Sequence, residues 1–173
     1  MDLGKLEKAA AEFERAVDVC TQDFSANLYR GMCAYQRKQY ADAVQSFSIA
    51  IALAPGSAEC YHDRALAYAA WGKNDHALHD YDRALALAPN LAAAALNRGI
   101  LHYQEGRHAQ ARADLERALR AGADPGDTHF NLALVTLALH DEPAARQHLR
   151  SALSHNPAHP KALQLERQLR ATH

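Results

Sequence analysis

Alanine recurs every 34 residues along this chain with no insertion or deletion between copies: Ala9, Ala43, Ala77, Ala111 and Ala145. A second set, Ala16, Ala50, Ala84, Ala118 and Ala152, lies seven residues after the first, so both sets fall on one face of one helix per repeat. A side chain of a single methyl at these places lets two helices approach closely. Between the two alanines every copy carries a large apolar residue, Phe13, Phe47, Tyr81, Leu115 or Leu149, placed to fill the space between the helices of a pair. The pattern predicts an array of helix pairs in which each pair buries its apolar face against its neighbour. With 49% apolar residues in 173 positions, the chain is long enough to build a continuous core in that way.

The best copy runs from Ala58 to Leu91 and resembles the tetratricopeptide repeat (TPR) signature. Counting from Ala58, Tyr61 stands at position 4, Ala65 at 8, Tyr68 at 11, Ala77 at 20, Tyr81 at 24, Ala84 at 27 and Pro89 at 32. Only position 7 departs, with Arg64 in place of leucine. The other copies align at 24–57, 92–125 and 126–159, with Gly31, Gly99 and Ala133 at position 8 and Pro55 and Pro157 at position 32. The third copy has Ala123 there and Pro125 two residues later. Residues 1–23 match only the second half of a repeat, through Gly4, Ala9, Phe13 and Ala16. Residues 160–173 begin a further unit but place Glu166, Arg167 and Arg170 where apolar, small and aromatic residues belong, the polar outer face of a capping helix.

The resemblance implies an all-α fold, a right-handed α-solenoid of TPR helix pairs forming a single domain over 1–173. It would hold a half repeat (1–23), four full repeats and a capping helix (160–173), ten helices in all. A first helix without its partner is expected either in a segment of a longer protein or where another molecule covers the N-terminal face.

A formal charge of −1, with no basic run longer than two residues, argues against a nucleic-acid partner. Nothing at the N-terminus resembles a signal peptide, and no apolar run is long enough to insert in a membrane. Cys20, Cys33 and Cys60 are odd in number and fall at three different repeat positions, so they predict small core or half-buried thiols in a reducing, cytoplasmic setting. Among the eleven histidines, His76 and His79 lie one helical turn apart and His155 and His159 flank Pro157. Neither pair has a third ligand in a motif such as H-E-x-x-H, so the histidines read as scattered surface residues. No nucleophile, paired carboxylate or phosphate-cradling glycine loop is set out by a motif. No cofactor, metal or catalytic residue is therefore expected, and the chain is expected not to be an enzyme.

Function is then to be sought on the surface that the array creates. In TPR proteins the first helix of each repeat lines the concave side, and the resemblance places Leu28, Met32 and Tyr35 of the first copy there. His62, Asp63 and Leu66 of the second, Leu96, Asn97, Ile100 and Tyr103 of the third, and Phe130, Asn131 and Leu134 of the fourth join them. The apolar members are expected to form an exposed stripe that pairing of helices does not require, which marks a partner groove. Asn97 and Asn131 occupy position 6 of consecutive repeats, where an amide can both donate to and accept from an extended peptide.

The TPR clamp for the C-terminal carboxylate of Hsp70 or Hsp90 is missing. Where it requires Lys, Asn, Asn, Lys and Arg the chain has Leu28, Met32, Asp63, Ala93 and Asn97. Starting one repeat later gives His62, Leu66, Asn97, Asp127 and Asn131, and the acids of the two registers, Asp63 and Asp127, would repel a carboxylate. The arginine column Arg30, Arg64 and Arg98 at position 7 is expected to serve ion pairs, with Asp80 or Asp114, and not anion binding. The expected function is a non-catalytic protein–protein interaction module taking a peptide or partner segment in a largely apolar concave groove. Two alternatives share the sequence features. One is self-association or assembly through the uncovered face of the first helix (Leu6, Ala10, Phe13, Val17), giving a homo-oligomer. The other is a docking or regulatory arm of a larger enzyme, such as a kinase or glycosyltransferase.

Overall fold

A computed structural model describes residues 23–171. Those residues form nine helices and no strand: α1 Phe24–Gln36, α2 Tyr40–Leu53, α3 Ala58–Ala70, α4 Asn74–Leu87, α5 Ala92–Gln104, α6 His108–Arg120, α7 Pro125–Ala138, α8 Glu142–His155 and α9 Pro160–Ala171. Each full repeat contributes two helices, and α9 is the expected cap. The helix expected within 1–23, the tenth, lies outside the described residues, and with it the proposed self-association face.

Local chemistry sets the helix ends. The side chains of Asp23, Asp124 and Asp141 accept hydrogen bonds from the backbone N–H of Ala26, Asp127 and Ala144, and Ser57 caps α3 through Cys60 in the same way. Pro125 opens α7, where its missing N–H costs nothing. Between the helices of each pair one residue turns left-handed, and it stands at the same repeat position every time: Lys38, Gly72, Gly106 and His140, with φ of 61°, 76°, 73° and 60°.

Within α4 the chain divides into two compact units, Met1–Asp80 and Tyr81–His173. In the first, Phe47 of α2 is buried with Ala34, Ala43 and Ala67, and Leu28, Tyr35 and Val44 pack around them. The ring lies so close to α1 that a Cβ on Gly31 would come within 2.6 Å of it. Position 8 must stay bare in this repeat because the Phe47 ring occupies the space a Cβ would need. In the second unit, Ala111, Leu115, Leu132 and Val135 form one buried cluster, and Ala133, Leu149, Ala152 and Ala162 form another. The alanines of both founding columns are 0% exposed throughout the described residues.

Polar links reinforce the apolar ones. Arg64 of α3 donates from Nε to Asp80 Oδ2 (2.6 Å) and from Nη2 to Asp80 Oδ1 (2.8 Å), while its Nη1 reaches Ser48 Oγ of the preceding repeat (3.0 Å). Arg98 of α5 repeats the arrangement: Nε donates to Asp114 Oδ2 (2.7 Å) and Nη1 to Asp82 Oδ1 of the repeat before (2.6 Å). Each arginine thus pairs with position 23 of its own repeat and position 25 of the previous one. The hydrogen bonds that the guanidinium groups donate to the aspartates push both arginine pKa values up despite burial. Arg30, the first member of the column, is exposed, and its own repeat has Ser46 at position 23 in place of the aspartate.

The cysteines and histidines depart in part from expectation. Cys60 is buried, and burial pushes its thiol pKa up, whereas Cys33 is exposed on α1. His159 is no surface residue: it is buried and caps α9, its Nδ1 accepting from Ala162 N–H (3.1 Å) while Nε2 lies 3.0 Å from Asp127 Oδ1. His102 is half-buried, with its Nδ1 enclosed and lacking a hydrogen-bond partner.

Desolvation lowers the His102 pKa. Arg98 and Arg107 act in the same direction, while Asp114 and Asp82 oppose it. Since the folded state holds this ring neutral, the unfolded chain binds more protons below the ordinary histidine value of about 6.5. Stability from this residue is therefore full above that pH and declines as pH falls through the window below it. Denaturant midpoints measured from pH 8 to pH 5 should fall less steeply for His102→Gln than for the wild type, and identical slopes would reject the assignment.

Candidate functional site

The thirteen residues assigned to the groove from sequence lie on the first helices of their repeats, α1, α3, α5 and α7. All are half-buried except Met32, which is 43% exposed. This corrects the expectation of an exposed stripe that helix packing does not need. In the first unit Leu28 and Tyr35 pack on the Phe47 cluster, and Leu28 also on Ala50, Ile51 and Cys60. In the second, Leu96, Ile100 and Tyr103 pack on Ala111, Leu115, Leu132 and Val135, and Phe130 packs on Ala133, Leu149, Ala152 and Ala162. The physical reason is the following repeat: α7 covers one side of α5, so residues surplus to a single helix pair are needed between pairs.

The polar members separate into engaged and open groups. His62 Nδ1 lies 3.0 Å from Asp63 Oδ1, so these two neighbours satisfy each other. Asn97 is half-buried and engaged. Asn131 is half-buried, and its side chain forms no hydrogen bond to the described residues.

A small crevice brings the third and fourth repeats together within the second unit. It has a volume of about 10 Å³ and is lined by Ile100 and Tyr103 of α5, Leu115 of α6, and Asn131 and Val135 of α7. Three of these five are residues the sequence nominates, while Leu115 and Val135 belong to the buried core behind them. The crevice is too small for a ligand, but it could seat one apolar side-chain tip beside an amide able to donate and accept. Leu66 and Leu134 are half-buried at position 9 of their repeats.

No set of three His, Cys, Asp or Glu side chains among the described residues is arranged to hold a metal ion. None of the described helices is long and apolar enough to cross a membrane.

Comparison with known proteins agrees with this architecture. The structure of MamA superposes with a TM-score of 0.78 at 20% identity, covering 93% of this chain and 98% of that one. YrrB, described as a TPR protein with an unusual peptide-binding site, superposes at 0.79 with 19% identity, covering 95% and 85%. The first TPR of Spaghetti, bound to the HSP90 peptide SRMEEVD, superposes at 0.66 with 22% identity, covering 69% of this chain and 95% of that one. These likenesses establish the fold, an all-α TPR solenoid. No curated protein matches. The family model for the tetratricopeptide repeat matches residues 1–58 and 62–128, more than half of the sequence, and the chain therefore belongs to the tetratricopeptide repeat family.

Proposed function

We propose that this chain is a non-catalytic interaction module whose first helices bind an extended peptide segment of a partner protein. The observation that carries the reading is the crevice of the second unit. Its apolar wall, Ile100, Tyr103 and Val135, adjoins the side chain of Asn131, which has no hydrogen-bond partner among the described residues. A half-buried amide in this state gains from a ligand that both accepts and donates, and a peptide unit does both. Peptide binding by YrrB and by the first TPR of Spaghetti supports the class of ligand. The missing clamp residues weigh against a C-terminal carboxylate tail as the ligand.

The proposed contact set is Leu96, Asn97, Ile100, Tyr103, Phe130, Asn131 and Leu134. Leu28, Met32, Tyr35, His62, Asp63 and Leu66 hold the corresponding positions of the first unit. Because most of these residues also hold the core, charged substitutions at Ile100 or Phe130 would confuse unfolding with loss of binding. Asn131→Ala and Tyr103→Ala are the cleaner probes. Peptides selected from a random library on the wild-type chain are expected to lose about three- to tenfold in affinity on Asn131→Ala, the effect of one hydrogen bond. Selected peptides that bind both variants as tightly as the wild type would overturn the assignment of this face.

A further inference from the structure

The fourth repeat places histidines where its neighbours place an ion pair. Position 23 reads Ser46, Asp80, Asp114 and His148 down the repeats, and position 7 reads Arg30, Arg64, Arg98 and Leu132. Leu132 is buried in the core, so no arginine reaches His148. Instead His129, at position 4 of the same repeat, turns to it across the α7–α8 pair. The two Nδ1 atoms lie 3.1 Å apart, and the rings stack at 5.3 Å between centroids with 29° between planes. His155 lies beside them, its ring 6.0 Å from that of His129 and its Nδ1 2.8 Å from the Ser151 carbonyl oxygen, to which it donates.

Without a further ligand, this geometry requires one imidazole to carry its proton on Nδ1 and donate it to the bare Nδ1 of the other. With both protons on Nε2 instead, two lone pairs converge from the same distance. Metal–nitrogen bonds of about 2.0–2.1 Å meeting at about 90–110° hold two ligand nitrogens about 2.9–3.4 Å apart. The observed separation falls inside that interval, so a rotation of the two rings that turns both lone pairs to one side brings them onto a shared ion.

We propose that His129 and His148 form a two-nitrogen site for a divalent transition-metal ion of the zinc, copper or nickel type. Imidazole nitrogen selects these ions over magnesium and calcium, which take oxygen ligands. Both rings are half-buried and so reachable from solvent. Burial disfavours charge on His148, and the carboxylates of Glu116 and Asp141 act against that burial through space. With no third protein ligand converging among the described residues, the remaining coordination positions are open to water or to a ligand brought by a partner.

The probe is Zn²⁺ alone, titrated into the whole chain and followed by the imidazole nitrogen signals in NMR and by thermal unfolding. One ion is expected to bind per chain, shifting the Nδ1 signals of His129 and His148 and raising the melting temperature. Mg²⁺ is expected to do neither. His129→Gln or His148→Gln should each weaken binding by at least the ~10–100-fold that follows loss of a group behind a metal ligand. His76→Gln, at an exposed histidine, should leave binding unchanged. Nδ1 signals of the pair that stay put as Zn²⁺ is added would overturn the proposal and leave a hydrogen-bonded pair only. This readout needs no variant to fold. Affinity unaffected by His129→Gln and His148→Gln would overturn it equally, assigning the ion to other histidines.

Discussion

Arg64→Ala is expected to destabilise the chain by about 3–5 kcal/mol, because it strands a carboxylate in the core. Asp80 is only 1% exposed, and its two oxygens accept from Arg64 Nε and Nη2. Removing the guanidinium leaves that charge buried with only His79 Nδ1, 3.6 Å away, beside it, and also removes the cation that stands 5.7 Å from the Tyr61 ring and 5.8 Å from that of Tyr68. Lysine cannot make the forked contact, so Arg64→Lys should recover only part of the loss. The double change Arg64→Leu with Asp80→Leu should be much milder than Arg64→Ala, since neither variant charge remains to be desolvated. Urea unfolding followed by circular dichroism measures all three. A loss under about 1 kcal/mol for Arg64→Ala, the scale of an exposed pair, would show that water reaches Asp80 once the arginine is gone.

Phe47→Ala is expected to cost a similar amount, about 3–5 kcal/mol, for a different reason. The ring is 2% exposed and fills the space between α1 and α2, where position 8 is glycine. No side chain on Gly31 can lean into the hole that the ring leaves, so the cavity stays open. The reverse change is also unfavourable: Gly31→Ala puts a Cβ 2.6 Å from Phe47 Cε1, so a ring that is 2% exposed must shift. Overpacking of that kind costs about 1–3 kcal/mol, more than the gain of about 1 kcal/mol from replacing a helical glycine. Combined, the two changes should be less destabilising than their sum, because the new methyl enters the space vacated by the ring. Strict additivity in a double-mutant cycle would mean that the two sites do not share that space.

The helix pairs are legible in the sequence because a contact required in every repeat recurs at every period. Ala43, Phe47 and Ala50 announce one face of α2, and their counterparts at Ala111, Leu115 and Ala118 announce the same face of α6. The Arg64–Asp80 and Arg98–Asp114 pairs are legible for the same reason, since two columns carry complementary charge twice over. What one repeat asks of the next is harder to read. Leu96 and Ile100 look unneeded when α5 and α6 are considered as a pair, and become core only when Leu132 and Val135 of α7 are set against them. The histidine pair is hidden further, because it occurs once. His129 and His148 are 19 residues apart on different helices, and no motif joins them. Only reading position 23 downward, from Ser46 through Asp80 and Asp114 to His148, exposes the exception.

The arginine that pairs within its own repeat and also reaches back to the one before makes the order of the repeats a matter of chemistry. Arg98 requires Asp114 ahead of it in the chain and Asp82 behind, while Arg64 accepts Ser48 in the place of that second acid. The fourth repeat sends nothing of the kind backward, having Leu132 where an arginine would stand. The units share a shape without sharing an address. Shuffling them would keep every alanine in register yet leave aspartates facing leucine. An array of this kind can be lengthened by copying a repeat only where the copied residues also satisfy the neighbour they inherit.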